Sequence, residues 1–412
     1  MSPRILHVLS QRPSLTGSGI TLDVLVRHAA KHGYEQRVVV GTPASDPHPE
    51  VGDLAAEFIH PLHFETGALP FPVPGMSDVM PYRSSVWSRM SAEELALYRR
   101  AWTKHLLKVT AEFKPELIHC HHAWLLGGMM KSLFPDTPVI THSHATGLRQ
   151  MALCPELAPQ IKAEITQNNA FCALHQDHAA GLIETLGVSP QNVHVVGAGY
   201  RSDIFHCNDR KIEPLSLVYA GKYSHAKGLP QLLDSVEILL KKHPQLVLHV
   251  AGDGAGEEAE ALRSRMKGMS PNVVMYGMLN QRQLGALLRR CGVFVLPSFY
   301  EGLPLVLVEA LASGCRLVCT ALPGVCKELA FYLGMVLELV ELPELIGPDT
   351  PNPSHLPAFV ERLTNSLEQA LGREALQNPQ QSMPETLAYF SWDASWQRVE
   401  TLWKQLLNNP KL

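Results

Sequence analysis

The chain has 412 residues, of which 46% are apolar and 18% charged, and a formal charge of −4. That length exceeds one ordinary hydrophobic core and predicts two domains of about 200 residues each, while the mild acidity excludes the broad basic field of a nucleic-acid binder. No run of about twenty uncharged apolar residues occurs, because Glu309 and Arg316 interrupt the longest candidate, Leu303–Val325, so no membrane span is expected.

Strand-like apolar runs alternate with helical patterns from end to end, which predicts parallel, doubly wound sheets. Ile5–Leu9 reads as a first strand and not as a leader peptide. Thr16-Gly17-Ser18-Gly19-Ile20 then offers close backbone approach and free amides at the positive end of a helix over Thr21–Lys31. Arg37–Val40 is a second strand. From Thr42 to about Ser91 the sequence is proline-rich and irregular, and a loop of that length inside a domain is usually functional or mobile. Its Phe71, Met76, Met80, Tyr82 and Trp87 suit the cover of an acceptor pocket, and a plain surface excursion fits equally well. Ala92–Phe113 carries Leu95, Tyr98, Trp102, Leu106 and Val109 at helical spacing, as expected of a helix covering a sheet; a membrane-surface helix shares the pattern.

The strands Leu117–His119 and Val139–Thr141 run into His119-Cys120-His121-His122 and Thr141-His142-Ser143-His144, so five imidazoles gather at one sheet edge. Three histidines could hold zinc, but no Asp-x-Asp metal clamp accompanies them and no metal is expected. Arg149 and Arg201, the latter after Gly197-Ala198-Gly199-Tyr200, are further candidates that structural ion pairs would explain as well. The polar stretch Asp203–Lys211 places a domain boundary between 205 and 206.

In the second half, Gly221-Lys222-Tyr223-Ser224-His225-Ala226-Lys227-Gly228 lies between the strand Leu217–Tyr219 and a helix over Pro230–Lys241. Its two ammonium groups would flank a diphosphate at the sheet's carboxyl edge. Leu246–Ala251 leads into Gly252-Asp253-Gly254, which falls short of a dinucleotide fingerprint because Glu257 occupies the third glycine position. Val273–Tyr276 leads into Gly277 and Met278, and Val293–Leu296 into Phe299–Ala310. There Glu301 ends a strand, Pro304 opens a helix, and Glu309 lies inside that helix, two acids in an otherwise apolar segment. A carboxylate accepts two hydrogen bonds from a vicinal diol, so the pair suits sugar or ribose hydroxyls at the edge where open α/β sheets bind ligands. After the strand Leu317–Cys319, Thr386–Leu407 reads as one or two closing helices. The eight cysteines form no C-x2-C pair and read as reduced, buried thiols of a cytoplasmic protein.

The segment from Glu301 through Gly302, Leu303, Pro304 and Leu305 to Glu309 resembles the E-x7-E motif of family 4 of the retaining GT-B glycosyltransferases, and the likeness extends roughly from Ile5 to Trp403. The resemblance implies an α/β protein of two Rossmann-like doubly wound domains facing across a cleft. Residues 1–205 would form the acceptor-side domain, with a C-terminal helix of about 390–412 packing back onto it, and residues 206–389 the nucleotide-sugar domain. It implies transfer of a hexose or N-acetylhexosamine from a nucleotide-diphosphate sugar, UDP being commonest in that family, to a small-molecule or glycan acceptor. Neither metal nor cofactor is implied, and peripheral membrane contact is compatible with it.

By the same resemblance, Lys222 and Lys227 match the two bases of a G-R-x4-K-G segment, with Lys222 standing where Arg is usual and giving a point charge in place of a bidentate fork. Glu301 would hold sugar hydroxyls, Glu309 the ribose, and His144 the sugar near its reacting carbon. Gly17, Gly19, Gly221, Gly252, Gly254, Tyr276, Gly277 and Met278 join the 302–305 segment as donor-binding candidates. His121, Arg149 and Arg201 are acceptor-side candidates. A phosphorylase or epimerase on the same architecture, or a catalytically silent sugar-nucleotide-binding or scaffold protein, are the competing readings.

Overall fold

A computed structural model describes residues 2–13, 16–77, 80, 82–144, 146–301, 304–347, 349–373 and 379–409. The chain divides into two compact units, Met1–Ala198 with Trp392–Leu412, and Gly199–Ser391. The division thus falls before the polar stretch that suggested 205/206. Tyr200, Ile204 and Phe205 are buried in the second unit's core, and the Tyr200 amide donates to the Phe390 carbonyl at 3.0 Å. Polarity begins only after these apolar anchors.

The first unit holds a seven-stranded parallel sheet in the order β3-β2-β1-β4-β5-β6-β7. Its strands are β1 Arg4–Leu9, β2 Glu35–Pro43, β3 Ile59–Phe64, β4 Leu117–His121, β5 Val139–His142, β6 Ala170–Ala173 and β7 Val193–Val195. The helices are α1 Gly17–Lys31, α2 Ala92–Phe113, α3 Leu125–Leu133, α4 Thr146–Leu153, α5 Ala158–Ile165 and α6 Gln176–Leu186. Strand order reverses between β1 and β4, which makes their carboxyl ends the topological switch point.

Part of the irregular 42–91 stretch is strand. β2 runs on to Pro43, and β3 lies at the sheet edge, where Pro61 removes no hydrogen bond needed by a second neighbour. Leu69, Phe71, Val73, Met76 and Trp87 are buried against Tyr98, Trp102 and Leu106 of α2. Phe71, Met76 and Trp87 therefore fill core instead of covering a pocket. Trp87 meets Tyr98 edge-on at 5.2 Å, the geometry aromatic quadrupoles favour. The Ser91 hydroxyl and the Glu94 carboxylate form a reciprocal capping box that starts α2 at the residue expected from its periodicity.

The second unit holds a six-stranded parallel sheet in the order β10-β9-β8-β11-β12-β13. Its strands are β8 Ser216–Ala220, β9 Val247–Ala251, β10 Val273–Gly277, β11 Val293–Leu296, β12 Arg316–Thr320 and β13 Leu337–Val340. The helices are α7 Leu229–Leu240, α8 Glu257–Gly268, α9 Gln281–Leu288, α10 Leu305–Ala312, α11 Ala330–Leu333, α12 Leu356–Gly372, α13 Pro379–Ser382 and α14 Pro384–Tyr389. Here the switch point lies between β8 and β11.

The last helix, α15 Trp392–Asn408, belongs to the first unit. Its Trp396, Val399, Leu402, Trp403 and Leu406 pack on Ile5, Leu25, Leu117 and Ile140, and each such buried side chain stabilises by about 1.5–3 kcal/mol. Among the described residues no helix is long and apolar enough to cross a membrane.

Candidate active site

Each unit presents functional side chains at its own switch point. In the second unit, β8 ends at Ala220 and the chain enters the Gly221–Gly228 loop. The buried Tyr219 hydroxyl donates to the Lys222 carbonyl at 2.7 Å and pins the start of that loop. Gly252 has φ +131°, and a Cβ there would lie 1.9 Å from the Gly221 carbonyl oxygen, so only glycine lets the loops after β8 and β9 touch. The Gly252 amide donates to the Gly277 carbonyl at 2.8 Å, and the Tyr223 amide to the Asp253 carbonyl at 3.1 Å. The glycine turns after β8, β9 and β10 thus form one tied layer.

On the other side of the switch point the Phe299 amide donates to the Ala226 carbonyl at 2.9 Å. Gly228, at φ +66°, lies so close to Pro297 that a Cβ would come within 2.0 Å of its carbonyl oxygen. These two approaches bring Lys227 onto Glu301, with Nζ 2.8 Å from Oε1. The same carboxylate oxygen accepts the hydroxyl of the buried Ser298 at 2.8 Å. The Lys227 and Glu301 side chains keep 26% and 17% exposure, so the pair is neither freely solvated nor sealed. A compact anion could take Lys227 and leave Glu301 to accept from hydroxyls.

Glu309, on α10, is in a different state. Burial pushes its carboxyl up to about 7, as desolvation disfavours the charged form. Pro304 caps α10 and Leu305 begins it, while Gly302 and Leu303 lie outside the described residues. The Tyr276 hydroxyl and His249 Nδ1 are 2.9 Å apart, which ties the tyrosine to β9, and Met278 is 72% exposed just beyond β10. Gly254 packs closely on Tyr223 and Ala259. Arg201 belongs to the second unit, and its guanidinium is engaged by Asp203 at 2.6 Å.

In the first unit, Thr16 caps α1, its side chain accepting from the Gly19 amide at 3.3 Å with Gly17 as the first helical residue. Across the switch point the expected imidazoles do gather. His121 Nδ1 and His144 Nε2 are 3.1 Å apart, and so are His119 Nε2 and His142 Nδ1. The rings of His142 and His144 are nearly parallel, at 6° and 4.8 Å between centroids, and those of His121 and His144 at 10° and 5.3 Å. Burial first, then mutual repulsion among the imidazoles, pushes His119, His121 and His144 well below the usual histidine range. Burial alone takes His142 to about 4, and burial followed by the His142 charge takes His122 to about 3. The stack is uncharged at neutral pH. Among the described residues no group of three His, Cys, Asp or Glu side chains is arranged to hold a metal ion. Arg149 is exposed on α4.

Ser298, Tyr219, His7, His178 and Trp403 join these edges without having been singled out from sequence. A serine three residues before Glu301 was the one local signal. The others arrive from distant segments, His178 bonding Ser143 at 2.8 Å and Trp403 bonding His119 at 2.9 Å.

Two parallel-sheet units of this construction define the GT-B fold class. The group 1 glycosyl transferase family matches residues 203–332, and the glycosyl transferase 4-like domain matches residues 16–199. Among curated proteins, a glycogen synthase of Mycobacterium tuberculosis is 25% identical over 239 residues, spanning 56% of this chain and 58% of that protein. A D-inositol 3-phosphate glycosyltransferase of Streptomyces scabiei is 26% identical over 299 residues, spanning 63% and 66%. The chain therefore matches less than two thirds of these relatives' length. Among solved structures, a sucrose-phosphate synthase from Thermosynechococcus elongatus superposes with a TM-score of 0.65 at 17% identity, covering 99% of this chain and 100% of that one. Anabaena HepE, crystallised with UDP and glucose, gives 0.63 at 14% identity, covering 98% and 100%. These structural likenesses establish the fold. Residues 203–332 thus belong to the group 1 glycosyl transferase family and residues 16–199 to the glycosyl transferase 4-like domain family.

Proposed function

We propose that the chain is a retaining, metal-independent hexosyltransferase of the cytoplasm. It would move a hexose or N-acetylhexosamine from a nucleotide-diphosphate sugar, a UDP-sugar foremost, to a small-molecule or glycan acceptor. The observation that carries this reading is the Lys227–Glu301 pair, held at 2.8 Å beside three tied glycine turns at the second sheet's switch point. Breaking the donor bond puts negative charge on the departing diphosphate. Lys222, Lys227 and the loop amides answer that charge, each charge-assisted hydrogen bond contributing roughly 1.5–3 kcal/mol. Lys227, drawn to the phosphates, releases Glu301 to accept from sugar hydroxyls, and Glu309 accepts from the ribose diol.

The reacting carbon acquires positive character, and in this reading His144 meets the sugar beside it. A neutral imidazole there does not oppose that charge, and the position of His144 well below the usual histidine range supports the role. Free cysteines throughout, six of them buried, suit a reducing compartment. The HepE complex with UDP and glucose supports a UDP-sugar by kinship of fold. Paired substitutions test the assignment. Glu301→Gln should abolish most turnover while leaving UDP affinity within about twofold, whereas Glu309→Gln should weaken UDP itself. Equal turnover in the two variants would overturn the assignment.

A further inference from the structure

We infer that Trp403 is a positioning residue for His144: its indole N–H, donated to His119, fixes the tautomers of His119 and His142 and so keeps the imidazole stack beside His144 in one uncharged arrangement. The inference rests on the proposed role of His144 at the donor sugar.

The argument follows the protons. Indole Nε1 can only donate, so its 2.9 Å bond to His119 Nδ1 requires a bare lone pair on that nitrogen. A neutral His119 then carries its proton on Nε2, and it donates this across 3.1 Å to His142 Nδ1. His142, with Nδ1 occupied as an acceptor, carries its own proton on Nε2. Both acceptor positions of the pair are thereby filled, and neither ring can take a second proton without breaking a bond in the chain. The His142 ring lies 4.8 Å from that of His144, so its tautomer sets the dipole His144 faces.

Among the described residues, only other histidines act electrostatically on the stack. β1 presents His7, whose Nε2 is bonded to Gln36 at 3.0 Å and which burial lowers to about 4. β4 presents His121, His122 and the Cys120 thiol, β6 the Cys172 thiol, and α6 presents His178, lowered to about 3 by burial first. On α15 the carboxylate of Glu400 accepts from Tyr34 and pairs with Lys404. The indole N–H of Trp403 is thus the group that orders the chain, delivered from a helix 284 residues away in sequence.

Trp403→Phe removes the N–H and keeps an aromatic ring. Trp396→Phe is the packing control: it lies in the same aromatic cluster, 5.2 Å from Trp403, and its indole nitrogen has no hydrogen-bond partner among the described residues. Histidine tautomers are read by long-range 1H–15N correlation NMR on 15N-histidine protein without substrate. Turnover with UDP-sugar is read separately as kcat and donor KM. The expected result is Nε2–H tautomers for His119 and His142 in the parent and in Trp396→Phe, and a redistributed His119 in Trp403→Phe. That redistribution should accompany a kcat loss of about tenfold at an unchanged donor KM. Unchanged tautomers in Trp403→Phe, an equal kcat loss in Trp396→Phe, or altered tautomers with full kcat would each overturn the inference. Absence of any transfer by the parent protein would count against the proposed function alone, since the tautomers are measured without it.

Discussion

Glu309→Gln should make the protein more stable by about 3 kcal/mol at pH 8 and by only about 1 kcal/mol at pH 5. In the unfolded chain this carboxyl titrates near 4.5, and burial in the folded second unit pushes it up to about 7. Below pH 4.5 both states hold the proton and the group contributes nothing. Between 4.5 and 7 the unfolded chain releases its proton while the folded one retains it, so stability falls as pH rises. Above 7 the folded carboxylate is ionised in an apolar setting and the loss levels off. At about 1.4 kcal/mol per pH unit, a rise from 4.5 to about 7 amounts to about 3 kcal/mol. Glutamine keeps the shape and removes the titration. Urea unfolding at both pH values gives the comparison: the variant should gain up to about 3 kcal/mol over the parent at pH 8 and about 1 kcal/mol at pH 5. An equal difference at the two pH values would refute the desolvation argument. The same titration bears on ligand binding, because a carboxylate accepts from both hydroxyls of a ribose diol through charged oxygens, whereas a carboxylic acid keeps only a neutral carbonyl oxygen as a good acceptor. UDP affinity of the parent should fall about tenfold between pH 8 and pH 6.

Lys227→Met leaves Glu301 with Ser298 as its bonded neighbour and removes one diphosphate contact. UDP should bind about 10- to 150-fold more weakly by calorimetry, and an affinity within twofold of the parent would contradict the role. Gly252→Ala forces a Cβ to within 1.9 Å of the Gly221 carbonyl, whereas Gly256→Ala, at φ +90°, meets nothing within 4 Å. Left-handed strain alone costs on the order of 1–3 kcal/mol. Denaturant unfolding should therefore show a larger loss for Gly252→Ala, together with loss of nucleotide binding that Gly256→Ala does not share. Trp87→Ala, truncating a core side chain that is 1% exposed, should cost about 3–5 kcal/mol; a cost under 1 kcal/mol would return the 42–91 stretch to a surface role.

The central strands were legible because both their faces are buried, which leaves continuous apolar runs such as Ile5–Leu9 and Val293–Leu296. The edges were not. β3 carries Pro61 and two histidines, β6 is four small or mixed residues, β7 has three residues, and β13 is Leu-Glu-Leu-Val. Each is short or interrupted; β3, β7 and β13 lie at sheet edges, where pairing tolerates that, and β6 lies between β5 and β7. At the candidate site, the lysine loop and the two acids were legible as residue types after strands. Their meeting at 2.8 Å depends on the Phe299–Ala226 backbone bond and on the close approach of Gly228 to Pro297, both tertiary. Five of the histidines were legible as a cluster because adjacent strands carry them in register, His121 opposite His142. The ordering partner, Trp403, comes from the far end of the chain and left no local sign.

The most direct test of the account is calorimetric titration of the purified protein, without added metal, with UDP, GDP and ADP and with their glucose, N-acetylglucosamine and mannose conjugates. The account predicts selective binding of one nucleotide, UDP foremost, and of a sugar conjugate of that same nucleotide, with both lost in Lys227→Met. Failure of every nucleotide to bind, with magnesium restored as well, would contradict it.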